Sequence, residues 1–156
     1  VKRVLQHELW VGYPIEDVFE FFSRAENLEE ITPPELSFHI LTPTPIAMHE
    51  GTLIDYRIKL GFVPMRWRSR ITEWAPPQRF ADEQLKGPYL SWYHTHTFEE
   101  KDGGTVIRDE VRYEVPGWFL EPLIHKLFVG RRLDRIFSYR QEAMEKRFPP
   151  GPASES

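Results

Sequence analysis

The sequence predicts a single α+β domain in which a curved antiparallel sheet of seven strands packs on a long C-terminal helix. Two short helices follow the first strand. Three observations carry this reading. From Glu35 to Val115 the apolar residues recur with a period of two, broken by Gly, Pro and Asp signals into six strand-length segments. The last ordered stretch, Trp118 to Phe148, changes to the period of a helix. A chain of 156 residues holds one domain with a substantial core and is short for two.

The first strand is Val4 to Val11, where Leu5, His7, Leu9 and Val11 share one face and Gly12 ends the run. "PIEDVFEFF" then opens with Pro14, a favourable first helical residue, and sets Ile15, Val18, Phe19 and Phe22 on one helical face. A second short helix covers Ala25 to Ile31, and Pro33 and Pro34 stop it because proline lacks the amide donor. Six strands follow at about residues 36–42, 52–60, 65–74, 79–86, 90–100 and 105–115. The short turns "KGPY" and "KDGG" join the last three as hairpins. The C-terminal helix carries Leu120, Leu123, Ile124, Leu127, Leu133, Ile136, Phe137 and Met144 in a stripe, with Gly130 as a point of bending. Residues 1–148 form the domain and 149–156, "PPGPASES", read as a disordered tail. The helix is the one long amphipathic element available to cover the sheet's apolar face.

Composition narrows the function. With 20 basic and 24 acidic residues the net charge is -4, which disfavours nucleic acid or an anionic membrane as the main partner. There is no cysteine, so thiolate chemistry and disulfides are excluded. No stretch approaches a membrane span and no secretory leader is visible, so the expected location is cytoplasmic. The 5 Trp, 6 Tyr and 11 Phe make the chain rich in wide rings, which can fill a core or line a cavity.

Parity assigns the strand faces. Ile54, Tyr56, Ile58 and Leu60 point inward, as do Trp67, Ser69 and Ile71, leaving Arg66, Arg68 and Arg70 outside. Trp92, His94, His96 and Phe98 share the inner face of their strand, and matching across the turns adds Phe80, Asp82, Gln84, Ile107, Asp109, Val111 and Tyr113. The register that places Gln84 opposite Trp92 sets Asp82 opposite His94. Placing Phe98 opposite Ile107 sets His96 opposite Asp109. Two carboxylate–imidazole pairs are therefore expected on the inner face, since an unpaired buried Asp is costly. A bulge would turn every later side chain over.

His94 and His96 with Asp82 or Asp109 also have the residue types of a metal site. The outer "MRWRSR" arginines are more simply explained by cross-strand pairs with acidic neighbours such as Asp55 and Glu73 than by nucleic acid. Trp10, outward by parity, and Trp74, at a strand end, are candidates for a partner surface or a dimer contact.

The order of elements resembles the START-like superfamily (SRPBCC, Bet v 1-like), the helix-grip proteins. "ITPPE", "GTLIDYRIKL", "RWRSRITEW", "FADEQLKGPYLSWYHTHTF", "DEVRYEVPG" and "LDRIFSYR" are similar to a bacterial ligand-binding subgroup related to polyketide cyclase/dehydrase-like proteins, some members of which are fused to nucleotide-sugar-epimerase-like domains. The resemblance implies a hydrophobic or amphipathic ligand held between sheet and C-terminal helix, without metal or other cofactor. It carries no established reaction to this chain.

The expected ligand-binding residues are Ile54, Tyr56, Ile58, Trp67, Asp82, Gln84, Trp92, His94, His96, Phe98, Asp109 and Tyr113. If the protein is an enzyme, the resemblance points to a cyclase, aromatase or dehydratase with Asp82, His94, His96 and Asp109 as catalytic candidates. The plainer reading, that these pairs satisfy one another and fix the register, outweighs catalysis. The partner expected is therefore a small molecule, with neither nucleic acid nor a membrane span, and the chain is a monomer or a homodimer.

Overall fold

The computed structural model describes residues 2–60, 62–117 and 121–149. Its strands are β1 (Lys2–Val11), β2 (His39–Ile40), β3 (Leu53–Leu60), β4 (Val63–Ala75), β5 (Arg79–Lys86), β6 (Ser91–Lys101) and β7 (Gly104–Glu114). They form one sheet in the order β1-β7-β6-β5-β4-β3-β2. Every neighbouring pair is antiparallel. Only β1 leaves sequence order, crossing to the far edge to pair with β7. Among the described residues no helix is long and apolar enough to cross a membrane.

Helix α1 (Ile15–Phe22) buries Ile15, Val18, Phe19, Phe21 and Phe22, each contributing about 1.5–3 kcal/mol of apolar burial. Pro14 stands one place ahead of the helix, where its carbonyl accepts the amides of Asp17 and Val18. The helix ends at Ser23, whose amide bonds the Phe19 carbonyl and whose hydroxyl donates to the Glu20 carbonyl. The segment expected as a second α-helix is a 3-10 turn, Ala25–Glu29. The strand expected over 36–42 shrinks to His39–Ile40. Pro34–Leu36 forms another 3-10 turn, and Ser37 takes a left-handed conformation (φ 48°) that no extended strand tolerates.

The C-terminal element is α2 (Glu121–Ile124), a π-helical turn (His125–Val129) and α3 (Gly130–Arg147). The Gly130 amide bonds the His125 carbonyl five residues back, so the expected irregularity beside Gly130 is a widened turn. The first expected residues of this helix, 118–120, and positions 150–156 of the expected tail lie outside the described residues.

Two apolar clusters anchor the helix to the sheet. At one end Phe19, Phe22, Phe80 and Phe98 pack with Ile107, Met144 and Phe148; nearer the other end Val111, Tyr113 and Val115 meet Leu133 and Phe137. Of the two tryptophans expected at the surface, Trp74 is not there. A bulge between Ile71 and Glu73 adds one residue to β4 and turns Trp74 inward, onto Phe19 (5.5 Å between ring centroids) and Phe80 (5.5 Å). Trp10 stays outward, 44% exposed, and its indole donates to the Lys101 carbonyl (2.9 Å).

Trp10 lies across the start of β7, where Gly104 comes so close to β1 that a β-carbon would stand 2.3 Å from the Val11 carbonyl oxygen and 2.7 Å from the indole. The first of these is rigid backbone. Gly104→Ala is expected to destabilise the fold by about 1–3 kcal/mol through forced strand separation, measured as a lowered midpoint of urea unfolding. An unchanged midpoint would show that β1 and β7 part without cost.

Candidate functional site: an aromatic cavity over a buried histidine–aspartate network

The inner faces of β3 to β6, the segment 22–48 and α3 enclose a cavity of about 170 Å³. Its wall includes Ile54, Tyr56, Ile58, Trp67, Asp82, Trp92, His94 and His96, all placed inward by parity. The rings meet one another: Tyr56 stacks on Trp67 (5.8 Å, 15°), and Trp92 stands edge-on to Trp67 (5.3 Å, 89°). Phe22, Phe38, Phe80 and Phe137 line the cavity beside these tyrosine and tryptophan rings. Trp67 Nε1 donates to Ser69 Oγ (3.0 Å), so even the buried indole is satisfied.

Four expected ligand-binding residues stand apart from this wall. Gln84 closes the β5–β6 turn, donating to the Tyr89 carbonyl (2.7 Å) and accepting its amide (3.1 Å). Phe98 is in the phenylalanine core. Tyr113 packs beyond Trp92, with its hydroxyl 2.7 Å from His125 Nε2. Asp109 sits behind the histidines, 3% exposed. Parity gives the facing of each correctly, but a sheet face is longer than a cavity.

The backbone register is the one parity gives, with Asp82 opposite His94 and His96 opposite Asp109. The hydrogen bonds nevertheless cross it. His94 Nε2 donates to Asp109 Oδ1 (2.8 Å), and His96 Nε2 to Asp82 Oδ2 (3.1 Å). Each histidine reaches the diagonal carboxylate instead of the one it faces, a distance long side chains span. His96 stacks on Phe80 (4.1 Å, 12°), its directly opposed residue, and on His94 (3.7 Å, 25°). Its Nδ1 is 3.1 Å from Asp109 Oδ1 but off the line of a hydrogen bond, so that contact is electrostatic.

Arg140 of α3 completes the network, donating from Nη1 to the same Asp109 oxygen (2.9 Å). Strand parity does not reach this residue. The signal lies in the helix: Leu133, Phe137 and Met144 are the buried stripe of α3, and Arg140 falls between them on the same face. A cation there demands an anion beneath it.

The environment separates the two imidazoles. Burial and the neighbouring His96 hold His94 down at about 4, against the pull of Asp109. His94 is therefore neutral at pH 7, with its proton on the nitrogen that bonds Asp109. Burial lowers His96 as well, but its two carboxylates outweigh that and the net shift is upward. Burial raises Asp109, yet Arg140 and the two histidines hold it well below the carboxylate range. Tyr56 is pushed up by burial.

Donor atoms of Asp82, His94 and His96 lie within 4.8 Å of one another, close enough to surround a metal ion. The ring stack opposes it. Imidazole ligates through an in-plane lone pair, and an ion in the plane of one of two nearly parallel rings lies out of plane for the other. Sharing an ion would require one ring to turn.

A wider concavity of about 770 Å³ on the outer sheet face is open and charged. There Arg108 pairs with Glu8 (3.1 Å) and Glu99, and Arg112 with Glu110 (2.7 Å). In "MRWRSR", Arg68 forks onto Asp55 (2.7 and 3.3 Å) and Arg70 pairs with Glu83. Arg68, Arg70, Arg108 and Arg112 are thus each paired within the sheet.

Residues 11–137 match the family model described as polyketide cyclase / dehydrase and lipid transport. The chain belongs to this family. No curated protein matches it. Among solved structures, a nucleoside-diphosphate sugar epimerase from Corynebacterium glutamicum contains the same fold (24% identity, TM-score 0.66), in a match that takes 91% of this chain and 28% of the other. The chain thus spans little more than a quarter of that protein. A protein from Thermus thermophilus matches end to end (20% identity, TM-score 0.68, 94% and 97% covered). So does a Thalictrum norcoclaurine synthase point mutant, in complex with a transition-state analogue (17% identity, TM-score 0.64, 94% and 97%). At these identities the likeness establishes the fold, which is the Bet v 1-like helix-grip fold of the SRPBCC superfamily. Family and fold fit hydrophobic ligand binding or polyketide cyclase-like chemistry.

Proposed function

We propose that this protein binds a hydrophobic or amphipathic small molecule, as a carrier or sensor, in the cavity between β3–β6 and α3. The observation that carries the reading is the division of the wall. Apolar and aromatic side chains line most of it, and the strongly polar groups are few: Asp82, His94 and His96 from the sheet and Arg132 and Arg140 from α3. Such a site orients one polar end of an otherwise apolar ligand. The cavity is small beside the roughly 300–1,000 Å³ of ordinary ligand pockets, so the ligand is compact.

The test is native mass spectrometry of gently purified protein. A copurified molecule is expected in the unaltered chain and lost in Ile58→Trp, which fills the cavity. A bare mass for the unaltered protein, with no uptake of apolar probes, would overturn the proposal.

One observation favours a second reading, a cyclase- or dehydratase-like enzyme. The side chain of Asp82 is 19% exposed and holds His96, whose proton affinity is raised, so a proton can pass between the cavity surface and the network. Turnover of a bound polyketide-like chain that falls at least about a hundredfold in Asp82→Asn, with binding retained, would favour it.

A further inference from the structure

The cavity wall carries one charge that the described residues leave unanswered. Arg132, Ile136 and Arg140 follow at helical spacing along α3 and all face the cavity. Arg140 is bonded to Asp109 (2.9 Å) and Asp82 is bonded to His96 (3.1 Å). Arg132 is half-buried near Tyr89, lines an outer groove as well as the cavity, and makes no hydrogen bond or ion pair among the described residues. The acidic groups around it are engaged or turned away. Glu35, which lines an outer groove together with Arg132, is forked by Arg135 (2.7 and 3.5 Å), and Asp134 faces the opposite side of α3, toward Arg3 and His125.

A guanidinium partly withdrawn from water and given no anion by the described residues is arranged for an external one. Its planar fork matches a carboxylate with two parallel N–H bonds. Next to it, Trp67 and Trp92 form a right-angled corner (5.3 Å, 89°), and Tyr89 closes on Trp92 (4.7 Å). A flat ring laid on one face of that corner meets the other edge-on.

We infer that the ligand is a compact aromatic or alicyclic carboxylic acid, its ring system in the Trp67–Trp92 corner and its carboxylate on Arg132. The inference rests on the small-molecule reading of the cavity and adds the chemical class. It also gives α3 two distinct arginines, Arg140 holding the sheet network and Arg132 holding the ligand.

The test is calorimetric titration at pH 7 with 2-naphthoate and its neutral near-isostere 2-naphthamide. The unaltered protein is expected to bind the acid at least about tenfold more tightly, the scale of a charge-assisted hydrogen bond. Arg132→Gln should bring the acid down to the amide's affinity and leave the amide unchanged, so retained amide binding also shows that the variant is folded. Equal binding of the two compounds by the unaltered protein, or an equal loss of both in Arg132→Gln, overturns the acid specificity and leaves the cavity reading standing. Binding of neither compound counts against both.

Discussion

Asp109→Asn is expected to destabilise the protein by about 3–5 kcal/mol, the cost of breaking a buried charge pair from one side. Asp109 is 3% exposed and its Oδ1 serves Arg140 (2.9 Å) and His94 (2.8 Å), with His96 Nδ1 at 3.1 Å. Asparagine keeps the shape but removes the charge, leaving a mostly buried guanidinium without a counter-ion. Against a typical total stability of about 5–15 kcal/mol, that loss takes a large fraction. Urea unfolding followed by tryptophan fluorescence measures it. Pairing the change with Arg140→Met should recover part of the loss, because the double variant buries no unmatched cation. A single-variant loss below about 1 kcal/mol would show that the network opens to water and that Asp109 is not its centre.

Stability should peak near pH 6.5, with the two histidines acting in opposite directions. His94 titrates near 4 in the folded chain against 6.5 when unfolded. Between those values the unfolded chain binds the proton and the native one does not, so stability falls as pH falls, by about 3 kcal/mol over the whole interval. For His96 the folded affinity is raised above 6.5. Its contribution is complete below that value and is lost as pH rises through the higher folded one. The depressed carboxyl of Asp109 adds a further loss only below its unfolded value of 3.8. A melting-temperature profile from pH 4 to 9 checks the shape, on either side of the ordinary histidine range of about 6.5. In His94→Gln the acid limb of that profile should flatten, because glutamine can still donate to Asp109 yet cannot take up the proton. An unaltered slope in that variant would assign the acid limb to other groups.

The Asp109 variant measures the worth of the network as built, whereas the pH profile measures how far burial has shifted its members. Agreement would mean that one cluster beneath the cavity floor governs both the stability and the acid sensitivity of the fold. That cluster is also what holds Asp82 and the histidines in place at the polar end of the cavity.

Most of the sheet is legible in the sequence because a strand's side chains alternate strictly. Parity alone puts Tyr56, Trp67, Asp82, Trp92, His94 and His96 on one wall, and the short turns set the register of β5, β6 and β7. The expected strand over 36–42 fails because a short run of apolar residues does not reveal that Ser37 turns left-handed. Trp74 departs from its expected place for the reason parity itself supplies, one extra residue in β4.

The sequence by itself determined the class of fold, the face of nearly every strand residue and the presence of two acids and two imidazoles on one inner surface. These follow from periodicity, which depends only on local backbone geometry. Tertiary structure alone decided who bonds whom. Arg140 arrives from a helix that begins after the last strand has ended, and it draws Asp109 to a point where the imidazoles converge on one oxygen. That crossing of the register, and the place of Arg132 on the cavity wall, come from the docking of α3 across the sheet. No spacing within a strand encodes it.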